Sequence, residues 1–579
     1  MARSSNRRAS SRARADLPAA KKVTQASGAR LLLQRRSVQA ALLFTVLLGA
    51  YLANGDILPG NDATASVRLA GKLVTEHKLV FTPEEEPFMF EWHLKTPKGE
   101  RTAAFRAWQS TLDGEPIRRA FERGDLTHPE PYYFLMATRY PGVYANVYGL
   151  GAALWAMPFV AAVYPFARDL YVRPSAGLLW YAAKVAAACA VAGSAVCLFL
   201  AALAFVRPGT AMWLALAYGL GTCVWSTSSQ TLWQHGPMEF FLALGTLFLM
   251  RLDRPRSAYY AGLCYALAFA CRPTAALALA AAGIYYLLRN RRALLRFAVG
   301  SLPVALLLSA YNLHYFGKLL VLGQLGGEHK ASAAAAATSA AASAVASAAA
   351  SAAAASVVAT STRGVFGTSL VEGISGILIS PSHGLLVFSP MLVFAFWGLG
   401  RVWRDGRFSS LRPVSVAALG MCLVVARWHG WWGGWCYGYR LLTDAVTLMA
   451  FLAIPIVEQI RRRRALAATF CLLFVWAVGV QVVGAFAYDV TSWNSRQLLA
   501  VRVPGEEKPR LFSDPGEARR EAWARGGSVD EIRVDVNRSQ GHFRLWSIRD
   551  SQILYYLEHF FEARATKQTA IETFLRDRG

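Results

Sequence analysis

The chain has 579 residues, 55% of them hydrophobic, and a mean hydropathy of +0.30. That is too apolar for a soluble protein of this length and points to many membrane spans. The net charge of +25 belongs to cytoplasmic loops in such a protein, and with no DNA- or RNA-binding motif in the chain nucleic acid is set aside as a partner.

Residues 1–36 carry ten Lys/Arg and one acid, which reads as a basic cytoplasmic tail. The apolar run after them, Ala40 to Leu52, is as short as a signal-peptide core. No small-residue cleavage site follows it, so it reads as a retained first span. A membrane helix needs about twenty mainly apolar residues. Runs of that kind lie at about 37–54, 149–167, 176–205, 209–226, 236–251, 257–271, 273–288, 294–314, 384–402, 411–428, 441–459 and 464–487.

Four basic clusters set the orientation. They are Arg251/Arg254/Arg256, Arg289/Arg291/Arg292/Arg296, Arg401/Arg404/Arg407/Arg412 and Arg461 to Arg464. Placing all four in the cytoplasm puts Arg207 inside as well, so the run 176–205 passes from outside to inside. The first span also ends outside, and 149–167 therefore cannot be one full crossing. It reads as a juxtamembrane helix on the outer face, where Gly149, Gly151 and Pro158 suit an interfacial position. The expected fold is an all-α polytopic membrane protein of about eleven transmembrane helices, with a large first external loop carrying juxtamembrane helices. The expected parts are the tail 1–36, a transmembrane domain 37–487 with its first external loop at 55–148, and an external C-terminal tail 488–579 with one docked helix near Ile553 to Leu557. An Ala/Ser-rich tract, 331–362, reads as an insertion in an external loop without chemistry. The eight Cys show no CxxC spacing, so neither a zinc site nor a disulfide framework is indicated.

The unusual residues gather on the outer side. Asn54-Gly55-Asp56-Ile57-Leu58-Pro59-Gly60-Asn61-Asp62 follows the first span. Acids so close to a membrane raise a functional hypothesis; the competing reading is a Gly/Pro/Asn/Asp turn. Trp431-Trp432-Gly433-Gly434-Trp435-Cys436-Tyr437-Gly438-Tyr439-Arg440 is either an interfacial aromatic belt or a ligand site. Its glycines let backbone approach a ligand, and its Arg suits phosphate. Ser226 to Gly236 contains Gln234 and His235, read as an ordinary turn or as groups facing a cavity. Arg272 at the tip of a hairpin either snorkels or binds an anion. His383 in Ser380-Pro381-Ser382-His383-Gly384 precedes a helix start that favours phosphate, though a cap explains it equally. Arg139-Tyr140-Pro141 and Tyr144 to Gly151, with Tyr148, are an amphipathic approach to the juxtamembrane helix or a substrate contact.

Taken in order, these pieces resemble the polytopic GT-C glycosyltransferases, in the branch of protein O-mannosyltransferases and lipid A aminoarabinose transferases and their bacterial members. The resemblance covers about 37–490. It implies a sugar donor on a polyprenyl phosphate, an inverting hexosyl or pentosyl transfer, an outer-face active site and a bacterial inner-membrane location with the N terminus in the cytoplasm and the C terminus outside. It puts the catalytic acid on Asp62, although Asn61-Asp62 stands where the protein mannosyltransferases have an Asp-Glu pair. That departure bears against a protein acceptor; glycan and lipid are the others. An Asp there takes the proton of an acceptor hydroxyl or amine, and cations stabilise the leaving phosphate. Arg440 is the first candidate for that role, followed by Arg272, Arg139 and His235. Trp432, Trp435, Tyr437, Gln234, Tyr148 and His383 are the expected substrate contacts. No cofactor is expected. A divalent metal is compatible with the scheme, but no ligand set is identified. The alternatives are a lipid or solute transporter or flippase without covalent chemistry, and a membrane scaffold.

Overall fold

A computed structural model describes residues 36–58, 60–96, 99–103, 111–112, 115–167, 175–251, 254–323, 365–506, 509–512 and 515–577. The tail 1–35 and the Ala/Ser tract 331–362 lie outside the described residues.

The helices in chain order are α1 (Arg36–Leu52), α2 (Asn61–Thr75), α3 (Ile117–Glu122), α4 (Gly151–Val163), α5 (Ser175–Ala202), α6 (Pro208–Gly221), α7 (His235–Leu249), α8 (Ser257–Cys271), α9 (Ala276–Arg289) and α10 (Arg291–Phe316). There follow α11 (Leu370–Ile379), α12 (Leu385–Phe388), α13 (Val393–Arg404), α14 (Arg412–Arg427), α15 (Thr443–Leu452), α16 (Ile454–Arg462), α17 (Arg464–Ala487), α18 (Pro515–Arg525), α19 (Gln552–Glu558) and α20 (Phe560–Asp577). Among the described residues four helices are long and apolar enough to cross a membrane: Gly177–Ala202, Arg291–Phe316, Gly406–Arg427 and Arg464–Ala487. A fifth crossing exists if α15 and α16 act together, for they are bent by 60° at one break. Pro455 in the first turn of α16 explains the bend, since its ring excludes a continuous hydrogen-bond ladder. The run expected at 384–402 is likewise split into α12 and α13, with Ser389-Pro390 between them.

Local chemistry fixes several helix ends. Asn290 caps α10 by accepting from the N–H groups of Arg292 and Ala293, and Gly317 closes it in a left-handed conformation. Ser369 caps α11, a helix missing from the expected elements. It follows the Ala/Ser tract and has no basic flank to mark it.

The chain is not all-α. The segments between and after its apolar helices carry small antiparallel sheets. In the first loop β1 (Phe90–Thr96) pairs with β2 (Gly99–Ala103) and with the later strand Leu126–Pro131. The alternation Phe90-Glu91-Trp92-His93-Leu94-Lys95 has the period of a half-buried strand and not of a juxtamembrane helix. Within the tail, Ser495–Arg502 pairs with Ser528–Asp535 and Arg510–Phe512, so this region is a folded unit and not a polar extension with one helix.

Two devices position the site. Gly151 opens α4 where a Cβ would stand 2.5 Å from the backbone nitrogen of Cys271. Only glycine lets α4 seat against the end of α8, beside Arg272. The tail is seated by Gln552, whose amide donates to Cys436 O at 2.7 Å and accepts from the N–H of Gly438 at 3.0 Å. Ser380 and Ser382 donate to the carbonyls of Leu545 and Arg544, so the 380–384 segment serves here as a docking surface.

Candidate active site

Asp62 lies in the first turn of α2, where the helix dipole favours a carboxylate. Its Oδ2 accepts from Arg440 Nη1 at 2.6 Å and its Oδ1 from the Tyr133 hydroxyl at 2.5 Å. The Tyr148 hydroxyl lies beside it and also favours its charged form. The side chain keeps 25% exposure, against 13% for Arg440, so the pair sits at an opening and not in a sealed core. Burial alone would push the Asp62 carboxyl up. The Arg440 guanidinium, with the Tyr133 and Tyr148 hydroxyls, outweighs burial and holds the carboxyl below its ordinary value.

Arg440 begins the short turn Arg440–Leu442 that leads into α15. Its Nη2 donates to Gly433 O at 2.7 Å, and its guanidinium lies over the Trp233 ring at 4.8 Å. Gly433, Gly434 and Gly438 all have left-handed backbone, with φ of 87°, 73° and 60°. The loop's glycines therefore shape the backbone that carries Arg440.

A second group adjoins this one. Arg272 and His235 share the buried carboxylate of Asp444. Arg272 Nη1 is paired with Asp444 Oδ2, and His235 Nδ1 lies 3.2 Å from Asp444 Oδ1. His235 opens α7, two residues beyond Trp233, with Gln234 buried at the cap position. Three buried donors in these linked groups have no hydrogen-bond partner among the described residues: Arg440 Nε, Arg272 Nε and Trp233 Nε1. The carbonyl oxygen of the Gln234 side chain is also unpartnered.

The other expected residues stand elsewhere. Arg139 is held by the carbonyl of Tyr315 through its backbone, and its guanidinium donates to the exposed Tyr140 hydroxyl at 2.8 Å. The Trp432 and Trp435 indoles donate to Asn537 at 3.0 Å and Asp535 at 2.9 Å, so both clamp the tail. Tyr437 is buried and donates to Val480 O. His383 is buried against Trp493. Tyr133, Trp233 and Glu239 belong to the neighbourhood and were not expected. Glu239 is wholly buried in α7 and accepts from Ser228 at 2.6 Å. An acid inside the apolar run Met238-Glu239-Phe240 is the signal that marks it. Nothing in the local sequence marks Tyr133. Among the described residues no cluster of three or more His, Cys, Asp or Glu is arranged to hold a metal ion.

No known family description matches the sequence, and no curated protein does. Among solved structures the chain is similar to ArnT from Cupriavidus metallidurans bound to undecaprenyl phosphate. The two are 11% identical with a TM-score of 0.38, over 77% of this chain and 69% of that one. A likeness that faint carries no argument about function, which rests on the site.

Proposed function

We propose that the protein is a polytopic membrane glycosyltransferase of the GT-C type, with about eleven crossings. In this reading it moves a sugar from a polyprenyl-phosphate donor to an acceptor on the outer face, with inversion. The observation that carries it is the Asp62–Arg440 pair at a partly open site with unpartnered buried donors beside it. A carboxylate joined to a cation at an opening is what a base and a leaving-group stabiliser require of each other. The donor phosphate fits the Nε–H groups of Arg440 and Arg272 and the Trp233 N–H, which offer the hydrogen bonds that an anion accepts. His235 and Asp444 hold Arg272 in place.

The acceptor hydrogen passes to Asp62 while its heavy atom bonds the anomeric carbon. The bond from that carbon to the phosphate oxygen breaks, and its electron pair stays on the phosphate. A phosphate on Arg440 takes up part of the positive charge now offered to Asp62. The carboxyl then binds a proton more readily, so the base strengthens when the donor is in place.

The buried Glu239 in α7 favours a second reading, a transporter with a charge inside the bundle. One experiment separates the two. Purified protein is examined by mass spectrometry for a co-purified lipid-linked sugar, then incubated to see whether the sugar–phosphate bond is cleaved. Glycosyl transfer predicts a sugar lipid that is consumed by the wild type and kept by Asp62→Asn. A lipid carried unchanged by both proteins supports the transporter.

A further inference from the structure

We propose that Gln552, a residue of the C-terminal tail, is a positioning residue of the active site: its side-chain amide fixes the backbone that aims Arg440 at Asp62. The inference rests on the glycosyltransferase reading above and makes the tail part of the donor site.

Gln552 meets the Gly/Trp-rich loop with both ends of one planar group. Its Nε2 donates to Cys436 O at 2.7 Å, and its Oε1 accepts from the Gly438 N–H at 3.0 Å. A carboxamide carries a donor and an acceptor side by side, so it holds the loop as a neighbouring strand holds backbone. Gln552 is wholly buried. Losing its amide leaves a buried carbonyl and a buried N–H unpaired.

The residues it holds lead directly to Arg440. Gly438 has left-handed backbone at φ 60°, and a Cβ there would stand 2.6 Å from Cys223 Sγ. Glycine allows this conformation but does not select it; the amide selects it. Next in the chain, the Tyr439 hydroxyl accepts from the Cys223 N–H at 3.1 Å and lies 2.6 Å from the Ser389 hydroxyl. Arg440 follows, with Nη2 on Gly433 O and Nη1 on Asp62. The helix bundle thus fixes Tyr439, and the tail fixes Cys436 and Gly438.

Gln552 stands on a firm base. It opens α19, which Ser551 caps by accepting from the Leu554 N–H. One turn on, Tyr556 is wholly buried and donates to Asp489 at 2.9 Å. Its ring lies 6.3 Å from that of Tyr437 and 5.5 Å from that of Tyr488. Residues four apart share a helix face, so one face of α19 grips both the loop and the segment after α17. Other side chains tie the tail farther from the guanidinium: Trp432, Trp435, Ser380 and Ser382.

The test uses the full-length protein in lipid nanodiscs. Farnesyl phosphate is the donor probe, and cleavage of the co-purified sugar lipid gives kcat/KM against pH. Gln552→Met keeps the length of the side chain and removes the amide. Farnesyl phosphate affinity should fall about tenfold, the worth of one hydrogen bond. The acid limb of kcat/KM should rise, as Arg440 loosens its hold on the Asp62 carboxyl. Ser382→Ala also removes one tail hydrogen bond, to Arg544 O, and should leave the limb in place. Gln552→Glu keeps the acceptor for Gly438 and loses the donor to Cys436 at neutral pH. Its affinity relative to wild type should recover as the pH falls and the carboxyl regains a proton to donate. An acid limb that stays put in folded Gln552→Met, or that moves equally in Ser382→Ala, overturns the proposal. Should Gln552→Met not fold, Gln552→Glu decides: a deficit that ignores pH, or no deficit, overturns it. A wild type that binds no farnesyl phosphate and cleaves no sugar lipid overturns the function itself, and this proposal with it.

Discussion

Asp62 and Arg440 stand 378 positions apart in the chain and 2.6 Å apart in the fold. One opens α2 behind the first apolar helix, and the other opens the turn into α15. Their contact joins the segment after the first apolar helix to the Gly/Trp-rich loop, and the backbone carbonyl of Gly433 holds the guanidinium as well. The arrangement gives a carboxylate that is ionised, oriented and still reachable.

Arg440 sets the protonation of Asp62 against the opposing push of burial. A depressed folded value keeps the base ionised to lower pH, so the acid limb of kcat/KM should lie below the ordinary carboxylate range. Arg440→Gln should move that limb upward. In stability, the pair's contribution is present above the unfolded carboxyl value and fades as pH falls through the folded one. Arg440→Lys keeps charge without the planar fork and should retain part of the donor affinity, while Arg440→Ala should lose most of it. A limb that stays put in Arg440→Gln, with equal donor binding by all variants, rules out both roles.

What could be read beforehand follows a physical pattern. Asp62, Arg440, Arg272 and His235 were legible because each is a charged or polar group at the edge of an apolar run, where solvation makes it costly. The common side expected for them rests on the basic clusters. The tail contacts of Trp432 and Trp435 were not legible because the sequence shows aromatics beside glycines, while their partners Asn537 and Asp535 lie about a hundred residues further on. Tyr133 was illegible because only the pairing of its flanking strands selects it over Tyr132, Tyr140 or Tyr144. The strands of the first loop were hidden by reading for span length, which ignores a two-residue alternation.

The tail contacts give a stability prediction. Trp432→Phe and Trp435→Phe each remove one indole hydrogen bond to the tail, worth about 0.5–1.5 kcal/mol. Together they should lower the melting temperature and expose the tail to limited proteolysis, with donor binding per folded molecule retained. Unchanged proteolysis with lost donor binding would return both tryptophans to the substrate.

Asp444 is buried between Arg272 and His235. Asp444→Ala leaves the Arg272 charge buried without its partner, a change that costs about 3–5 kcal/mol. The variant should be poorly folded, whereas Asp444→Asn, which keeps the shape and one acceptor, should be milder. Thermal unfolding of the two in the same detergent checks the order, and equal melting temperatures would show that the carboxylate is not what holds Arg272.

Asp56 and Asp62, two of the acids of the first loop, offer a comparison that separates catalysis from structure. Asp56 faces the C-terminal helix, with Lys567 Nζ 3.4 Å from its Oδ2, and Lys184 donates to its backbone carbonyl. Lys184 also donates to Asn54 at 2.5 Å, which in turn donates to Gln230 and to Ala485. Asp56 is thus part of a buried tie between α5, α17 and α20. Among the described residues Asp62 is hydrogen-bonded by groups at the opening, Arg440 and Tyr133, with Tyr148 beside them. Asn is nearly isosteric with Asp and keeps a hydrogen-bond acceptor, but it takes no proton at ordinary pH. Asp62→Asn should therefore keep its melting temperature and donor binding close to wild type while turnover falls by about 10²–10⁴-fold. Asp56→Asn should show the reverse, a lower melting temperature with turnover per folded molecule largely kept. Turnover per folded molecule, measured beside thermal unfolding for both variants, decides the assignment. Full turnover in folded Asp62→Asn removes the base from Asp62 and, with it, the glycosyltransferase reading of the site.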